Sequence, residues 1–269
     1  DGAGKNVQVI SGQSMVLNYI GLNNQDPRFK DVRVRQALLY AIDRAAIVKN
    51  IYKGSAVASN CVLSSQKYIP QDANSYDLNL SKAKALLEEA GLTLEDGVWT
   101  GPTPTPEKDI DVLTDKNGPV KPLAIELWAP AGEQQNELIL QVVAQAWDQI
   151  GVKTEQKFED VSTIFGPEGY QFTEAMTAGL YSWYNGADPD NTWYWSSMYI
   201  PDSPTGAGGN VQAYFFPFNF QEEIDAIIDP AVEELDQEKR KQAYFASQKL
   251  LNEQAPVIFI YWGKSFSAM

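Results

Sequence analysis

The chain has 269 residues, and its 21 Lys and Arg against 35 Asp and Glu give a formal net charge of −14. A nucleic-acid binder needs a basic stripe to neutralise phosphates, and an anionic bilayer repels such a chain, so the balance argues against both partners. Apolar residues make up 44% and charged residues 21%, an ordinary balance for a chain that buries a core. The longest apolar run, Ala255 to Trp262, has eight residues, well short of the ~20 that a membrane-spanning helix requires. Histidine is absent, which removes His-based triads, imidazole bases and His-ligated zinc. The single cysteine, Cys61, cannot form an internal disulfide or a thiolate cluster, and without a histidine partner it reads as a buried, inert thiol.

In chain order, Met15 to Gly21 reads as a strand rich in Val, Leu, Tyr and Ile. Asp31 can cap a helix to about Lys53 whose apolar stripe is Val34, Leu38, Ala41, Ile42, Ala45, Val48 and Ile51. A polar loop covers 55 to 80, and Ser81 opens a short helix closed by Gly91. Residues 97 to 122 carry repeated Gly and Pro and form a turn-rich excursion. Leu123 to Trp128 is a strand, Gln134 to Ile150 a helix stopped by Gly151, and Val152 to Phe158 a second strand. Ala175 to Trp183 is a strand feeding the loop Asn185-Gly186-Ala187-Asp188-Pro189-Asp190. Helices over Gln221–Leu235, with Pro230 inside, and Gln237–Gln254 precede a last strand, Val257 to Tyr261. Strands alternate with helices and show no repeat period, which predicts an α/β fold with a central sheet flanked by helices.

Between Phe158 and Glu238 there are 15 carboxylates and no Lys or Arg, and the densest aromatics of the chain fall in the same stretch. Solvated helix faces over an aromatic core would explain this; so would an aromatic wall in an electronegative cleft, suited to a sugar, a flat ring or a cation.

The run Asn23-Asn24-Gln25-Asp26-Pro27-Arg28-Phe29-Lys30-Asp31-Val32-Arg33-Val34-Arg35-Gln36-Ala37-Leu38, continuing to Ala41-Ile42-Asp43-Arg44, closely resembles the signature of the family 5 extracellular solute-binding proteins, the oligopeptide and dipeptide receptors of ABC importers. Later features follow in family order: the helix Ser81 to Gly91, Gln149-Ile150-Gly151-Val152, Trp183 with Asp188-Pro189, the Asp225 to Asp236 region before Arg240, and Ala255-Pro256-Val257-Ile258. The resemblance implies the C-terminal lobe of a two-lobed, type II periplasmic-binding-protein fold, periplasmic or extracellular and compatible with a lipid anchor. It also implies a first lobe of the same chain outside residues 1–269, hinge-proximal segments at 1–14 and 257–269, and a membrane permease as partner. The abrupt start at Asp1-Gly2-Ala3-Gly4 fits an excised piece.

In peptide-binding members an Asp three residues after the equivalent of Trp183 meets the ligand's ammonium; here that position is Gly186. The resemblance implies a peptide or similar polar organic solute as ligand, while the missing Asp and the Trp-rich stretch favour an oligosaccharide as the alternative. A glycoside hydrolase built on Glu168/Glu174 or Asp188/Asp190 is the remote one, since no motif supports its geometry. The expected ligand-binding wall is Tyr19, Tyr181, Trp183, Tyr184, Asn185, Asp188, Trp193 and Trp195. Trp183 and Trp193 are its stacking platforms, and Asn185 and Asp188 its polar anchors. No catalytic residue, metal or cofactor is expected. Arg33, Arg35, Asp43 and Arg44 of the signature are read as surface charges at helical spacing.

Overall fold

The computed structural model describes residues 9–24, 26–65, 67–101, 122–172, 176–203, 206–213 and 217–268. Most of the turn-rich excursion at 97–122 lies outside these residues, as do Glu174 and the aromatics Tyr214, Phe215 and Phe216.

Six strands form one mixed sheet: β1 (Val9–Leu22), β2 (Ala56–Ala58), β5 (Ala124–Pro130), β6 (Lys153–Glu159), β7 (Ala178–Tyr184) and β8 (Val257–Ala268), in the order β2-β8-β1-β7-β5-β6. Two short strands, β3 (Thr93–Glu95) and β4 (Val98–Thr100), pair apart as a hairpin. β5 runs parallel to both β6 and β7, whereas β1 is antiparallel to β7 and to β8. The expected closeness of the Met15 and Val257 strands is observed as a direct pairing, from Gly21↔Val257 out to Val9↔Ala268. Helix α4 (Gln134–Gln149) makes the crossover from β5 to β6, the connection that a parallel pair requires. It buries Ile139, Leu140, Val143, Ala146 and Trp147, an apolar stripe of helical period, and the Trp147 indole donates to the Leu38 carbonyl at 3.1 Å. Gly151, in the left-handed region at φ 84°, ends the helix where a side chain would be strained.

The helix expected from Asp31 to Lys53 is two helices, α1 (Val32–Tyr40) and α2 (Arg44–Asn50). The Asp43 side chain accepts from the Ala46 N–H at 2.8 Å and caps a new helix, which competes with continuation of the first. Helix α3 (Leu80–Glu89) is capped by Asn79 rather than Ser81. Helices α5 (Val161–Phe165), α6 (Thr192–Trp195), α7 (Gln221–Glu233, containing Pro230) and α8 (Gln237–Gln254) complete the order.

The signature arginines correct the surface reading. Arg35 is 4% and Arg44 5% exposed. Arg35 donates to the carbonyls of Phe29, Lys30, Gln254 and Ala255 at 2.5 to 3.1 Å, tying α1 to the α8–β8 junction. Arg44 likewise gathers the carbonyls of Ser59, Ser75 and Tyr76. Burial pulls both guanidinium groups down to about 10, so each remains charged at neutral pH and is solvated by peptide dipoles. Arg33 does pair with Asp31 near the surface.

Candidate functional site

Strands β5, β6 and β7 all run in one direction, and their C-terminal ends form one edge of the sheet. Because β1 opposes β7 and β8 opposes β1, the first residues of β1 and the last of β8 leave at this same edge. A cavity of about 520 Å³ opens there, between Pro130 at the end of β5, Ser182 and Trp183 at the end of β7, and the middle of β1. Ligands of open α/β sheets sit outside the carboxyl ends of the strands for this reason: side chains and loops converge there while the backbone ladder stays intact.

The cavity floor is aromatic. Register places Leu17 opposite Trp183 and Tyr19 opposite Tyr181, so these four side chains share one face of the sheet. The Tyr19 ring lies 4.3 Å from that of Trp183 and stacks on Tyr181 at 5.5 Å; Tyr194 stacks on Trp183 at 4.7 Å and 11°. Phe165 packs on Tyr181 from α5 at 4.9 Å. A loop reaches the cavity at Gly209, which packs against Trp193 outside it so closely that a side-chain carbon would fall 1.9 Å from the indole nitrogen.

The other wall is polar. Tyr52 and Tyr261 join their hydroxyls at 2.6 Å, and burial pushes both phenols up, so each is neutral at physiological pH. Beside them Glu133, Gln135 and Asn136 line the cavity from the start of α4, with Asn18 and Ser182 from the sheet. Among the described lining residues Glu133 carries the only formal charge.

Of the eight residues expected at the wall, the structure brings Tyr19, Tyr181 and Trp183 together on the cavity. Trp195 is fully buried, edge-on to Trp183 at 5.6 Å and packed on Phe218, so it supports the floor from beneath. Asn185 is 5% exposed; its amide donates to the Val62 carbonyl at 3.1 Å and accepts from the Trp183 indole at 3.2 Å, which occupies it in orienting Trp183. Tyr184 and Trp193 are exposed and do not line the cavity. Asp188 is also outside it, held by two hydrogen bonds from Arg240 at 2.7 and 3.1 Å.

That pair corrects the expectation that nothing basic neutralises the loop: Arg240 lies just beyond the Lys- and Arg-free stretch in sequence and against it in space. It also removes Asp188 and Asp190 as a hydrolytic couple, since Asp190 accepts from the Thr192 N–H and hydroxyl at 2.9 and 2.7 Å. The carboxylate pair Glu168/Glu174 includes a residue outside the described ones. Tyr52, Glu133 and Tyr261 escaped the sequence reading; they come from three distant segments and carry no local motif, whereas Tyr194 stands inside the Tyr181 to Trp195 stretch expected to face the cleft.

A larger cavity, about 1100 Å³, lies at the opposite end of β5 and β6, among Arg28, Glu126, Gln145, Asp148 and Lys153. Its two basic residues are already paired, Arg28 with Asp26 and Lys153 with Asp148, and it faces away from the edge where β1 and β8 leave. Among the described residues no group of three His, Cys, Asp or Glu side chains is arranged to hold a metal ion, and no helix is long and apolar enough to cross a membrane.

Comparison with known proteins agrees with this architecture. The dipeptide-binding protein of Escherichia coli K12 is 26% identical over 95% of this chain, and heme-binding protein A of Haemophilus influenzae 26% over 98%; the chain spans 42% of the length of each. The solved oligopeptide-binding protein of Thermus thermophilus, complexed with a pentapeptide, superposes with a TM-score of 0.80 at 21% identity, over 98% of this chain and 44% of that one. This likeness identifies the fold as the α/β lobe of a type II periplasmic binding protein. Residues 2–208 match the model of the bacterial extracellular solute-binding proteins, family 5, and the chain belongs to that family.

Proposed function

We propose that this chain is the C-terminal lobe of the substrate-binding receptor of an ABC importer, outside the cytoplasmic membrane, and that it binds a peptide or similar polar organic solute without transforming it. One observation carries the reading: the aromatic cavity opens at the sheet edge from which both long strands, β1 and β8, depart. Two strands leaving side by side make a paired crossing to another body, and a cavity beside that crossing closes when the body swings over it. On this reading a first lobe of the same chain supplies the roof, residues 1–14 and 257–269 lie at the hinge, and a membrane permease receives the ligand. Trp183, Tyr181, Tyr19 and Tyr194 form the contact floor. An oligosaccharide is the alternative ligand, favoured by the stacked aromatic faces beside neutral amides and hydroxyls.

Mass spectrometry of ligand carried through purification by the full-length receptor tests this. A stoichiometric small peptide or polar solute is the expected result. An empty receptor that instead cleaves chromogenic glycosides would overturn it.

A further inference from the structure

We infer that Glu133 is the ligand-selecting charge of this lobe, and that the ligand carries a positively charged nitrogen, an ammonium or guanidinium, seated beside the Tyr52–Tyr261 hydroxyl pair. This rests on the cavity being the binding site. Glu133 is the one carboxylate among the described residues lining the cavity, and several of its acidic neighbours are already engaged. Asp188 is held by Arg240, and Asp190 caps the start of α6. Asp225 accepts from the Ser197 N–H and the Gln221 amide. Glu133 precedes α4 yet makes no side-chain hydrogen bond to the helix start, and it forms no ion pair with any described residue; Asp160 before α5 is likewise uncapped and unpaired there but does not line the cavity.

Its surroundings suit a cation and reject an anion. No Lys or Arg lines the cavity among the described residues, so a ligand carboxylate at this wall would face Glu133 unshielded. The tyrosine pair has one hydroxyl donating to the other, which leaves oxygen lone pairs to accept from an N–H beside the carboxylate. The aromatic floor adds electron-rich ring surface near the carboxylate, with Trp183 itself largely covered by Tyr19 and Tyr194. An ion pair that is weak on an open surface strengthens when a covering body excludes water, so the selection operates in the closed receptor. The start of α4 contributes an opposing partial positive charge, which weakens but does not cancel a full carboxylate at this range.

The experiment uses the full-length receptor and four probes: a pool of tetrapeptides lacking Lys and Arg, the same pool N-acetylated, an acetylated pool with one Lys per peptide, and maltotetraose. Native mass spectrometry and calorimetry read retention and affinity. Retention confined to the two cationic pools, with Glu133→Gln weakening it at least tenfold and Glu133→Asp partly restoring it, is the expected result. Glu133→Gln should unfold at the wild-type temperature, and Glu88→Gln on α3 serves as the unaffected control. Equal retention of the acetylated pool, which lacks a cationic nitrogen, or unchanged affinity in Glu133→Gln, overturns the role of Glu133 and leaves the receptor reading standing. Retention of maltotetraose alone does the same. Retention of no probe by a folded receptor counts against both.

Discussion

The α1–α2 segment and the segment from Tyr181 to Trp195 are the two conspicuous stretches of this chain, and they use charge in opposite ways. In the first, two guanidinium groups are almost wholly buried and each gathers backbone carbonyls from segments distant in sequence. Their charge is invisible to solvent and organises the junction of α1 with α8 and the loop before α3. In the second, the carboxylates are exposed, but they are consumed locally, Asp188 by Arg240 and Asp190 by a helix start. Neither set reaches the cavity. The charge that does, Glu133, comes from a third segment with no distinguishing pattern. A dense run of chemistry-bearing residues thus marks where the backbone needed holding as often as where a ligand is held.

The contrast can first be broken at Cys61, which lies near Arg44. A cation beside a thiol is the arrangement that activates cysteines, yet burial dominates here and pushes the thiol from 9.0 up to about 12, with Arg44 opposing weakly. The thiolate fraction near pH 8 is then lower by about a thousandfold, before any barrier to access. Iodoacetamide should leave Cys61 unmodified in the native protein and label it fully in urea. Rapid native labelling would mean that Arg44 serves a reactive site and not the backbone.

Arg35 comes next. Replacing it with Met strands buried carbonyls, each costing about 1–3 kcal/mol, so a loss of about 3 kcal/mol or more in urea unfolding is expected. Arg35→Lys should rescue little, because one ammonium cannot span acceptors that a planar fork reaches together. A loss under ~1 kcal/mol would place Arg35 back among surface charges.

Sequence carried the fold well. The strands near Leu123 and Val152 and the helices at 134–150 and 237–254 are found within a few residues, because apolar period and glycine stops act locally, whereas the strands expected over Met15–Gly21 and Val257–Tyr261 are the longer Val9–Leu22 and Val257–Ala268. The split at Asp43 was missed because an apolar stripe continues across it, while the cap that breaks the helix is a single side-chain bond. Only part of the site was legible. Tyr19, Tyr181 and Trp183 share a face through β1–β7 register, which a strand alternation can suggest; Tyr52, Tyr261 and Glu133 meet only through the tertiary fold. Trp195 faces inward and Trp193 outward because the four-residue helix α6 turns alternate rings to opposite sides, and Asn185 is drawn inward by its bonds to Trp183 and the Val62 carbonyl.

Trp183 sharpens the comparison at moderate cost. It is 8% exposed and rests on Tyr194 and Trp195, so Trp183→Ala should destabilise the fold by about 3–5 kcal/mol and confound any binding measurement. Trp183→Phe keeps an aromatic floor but loses the indole bond to Asn185 and part of the stack. Ligand binding by the full-length receptor should weaken by about 1 kcal/mol, with the unfolding midpoint only slightly lowered. Unchanged affinity in that variant would move the floor elsewhere.

The smallest effect belongs to Asp188. Its carboxyl is held below the ordinary 3.8, first by the hydrogen bonds from Arg240, which outweigh the opposing effect of burial, and then by the Asp190 N–H and the charge of Arg240. A carboxyl depressed in the folded state binds fewer protons there than in the unfolded chain. Its contribution is therefore complete above the unfolded value near 3.8 and disappears as pH falls through the lower folded value. Since the side chain is 59% exposed, solvent screening limits the pair to about 0.2–1 kcal/mol at neutral pH. Arg240 also donates to the Ala231 carbonyl at 3.1 Å and lies 5.2 Å over the Tyr244 ring, so it stays in place when the carboxylate is removed. Asp188→Asn should thus lower stability by a few tenths of a kcal/mol above pH 5, converge with the wild type in stronger acid, and leave ligand affinity unchanged. A large affinity loss with little pH dependence would return Asp188 to the ligand and make Arg240 its positioning partner.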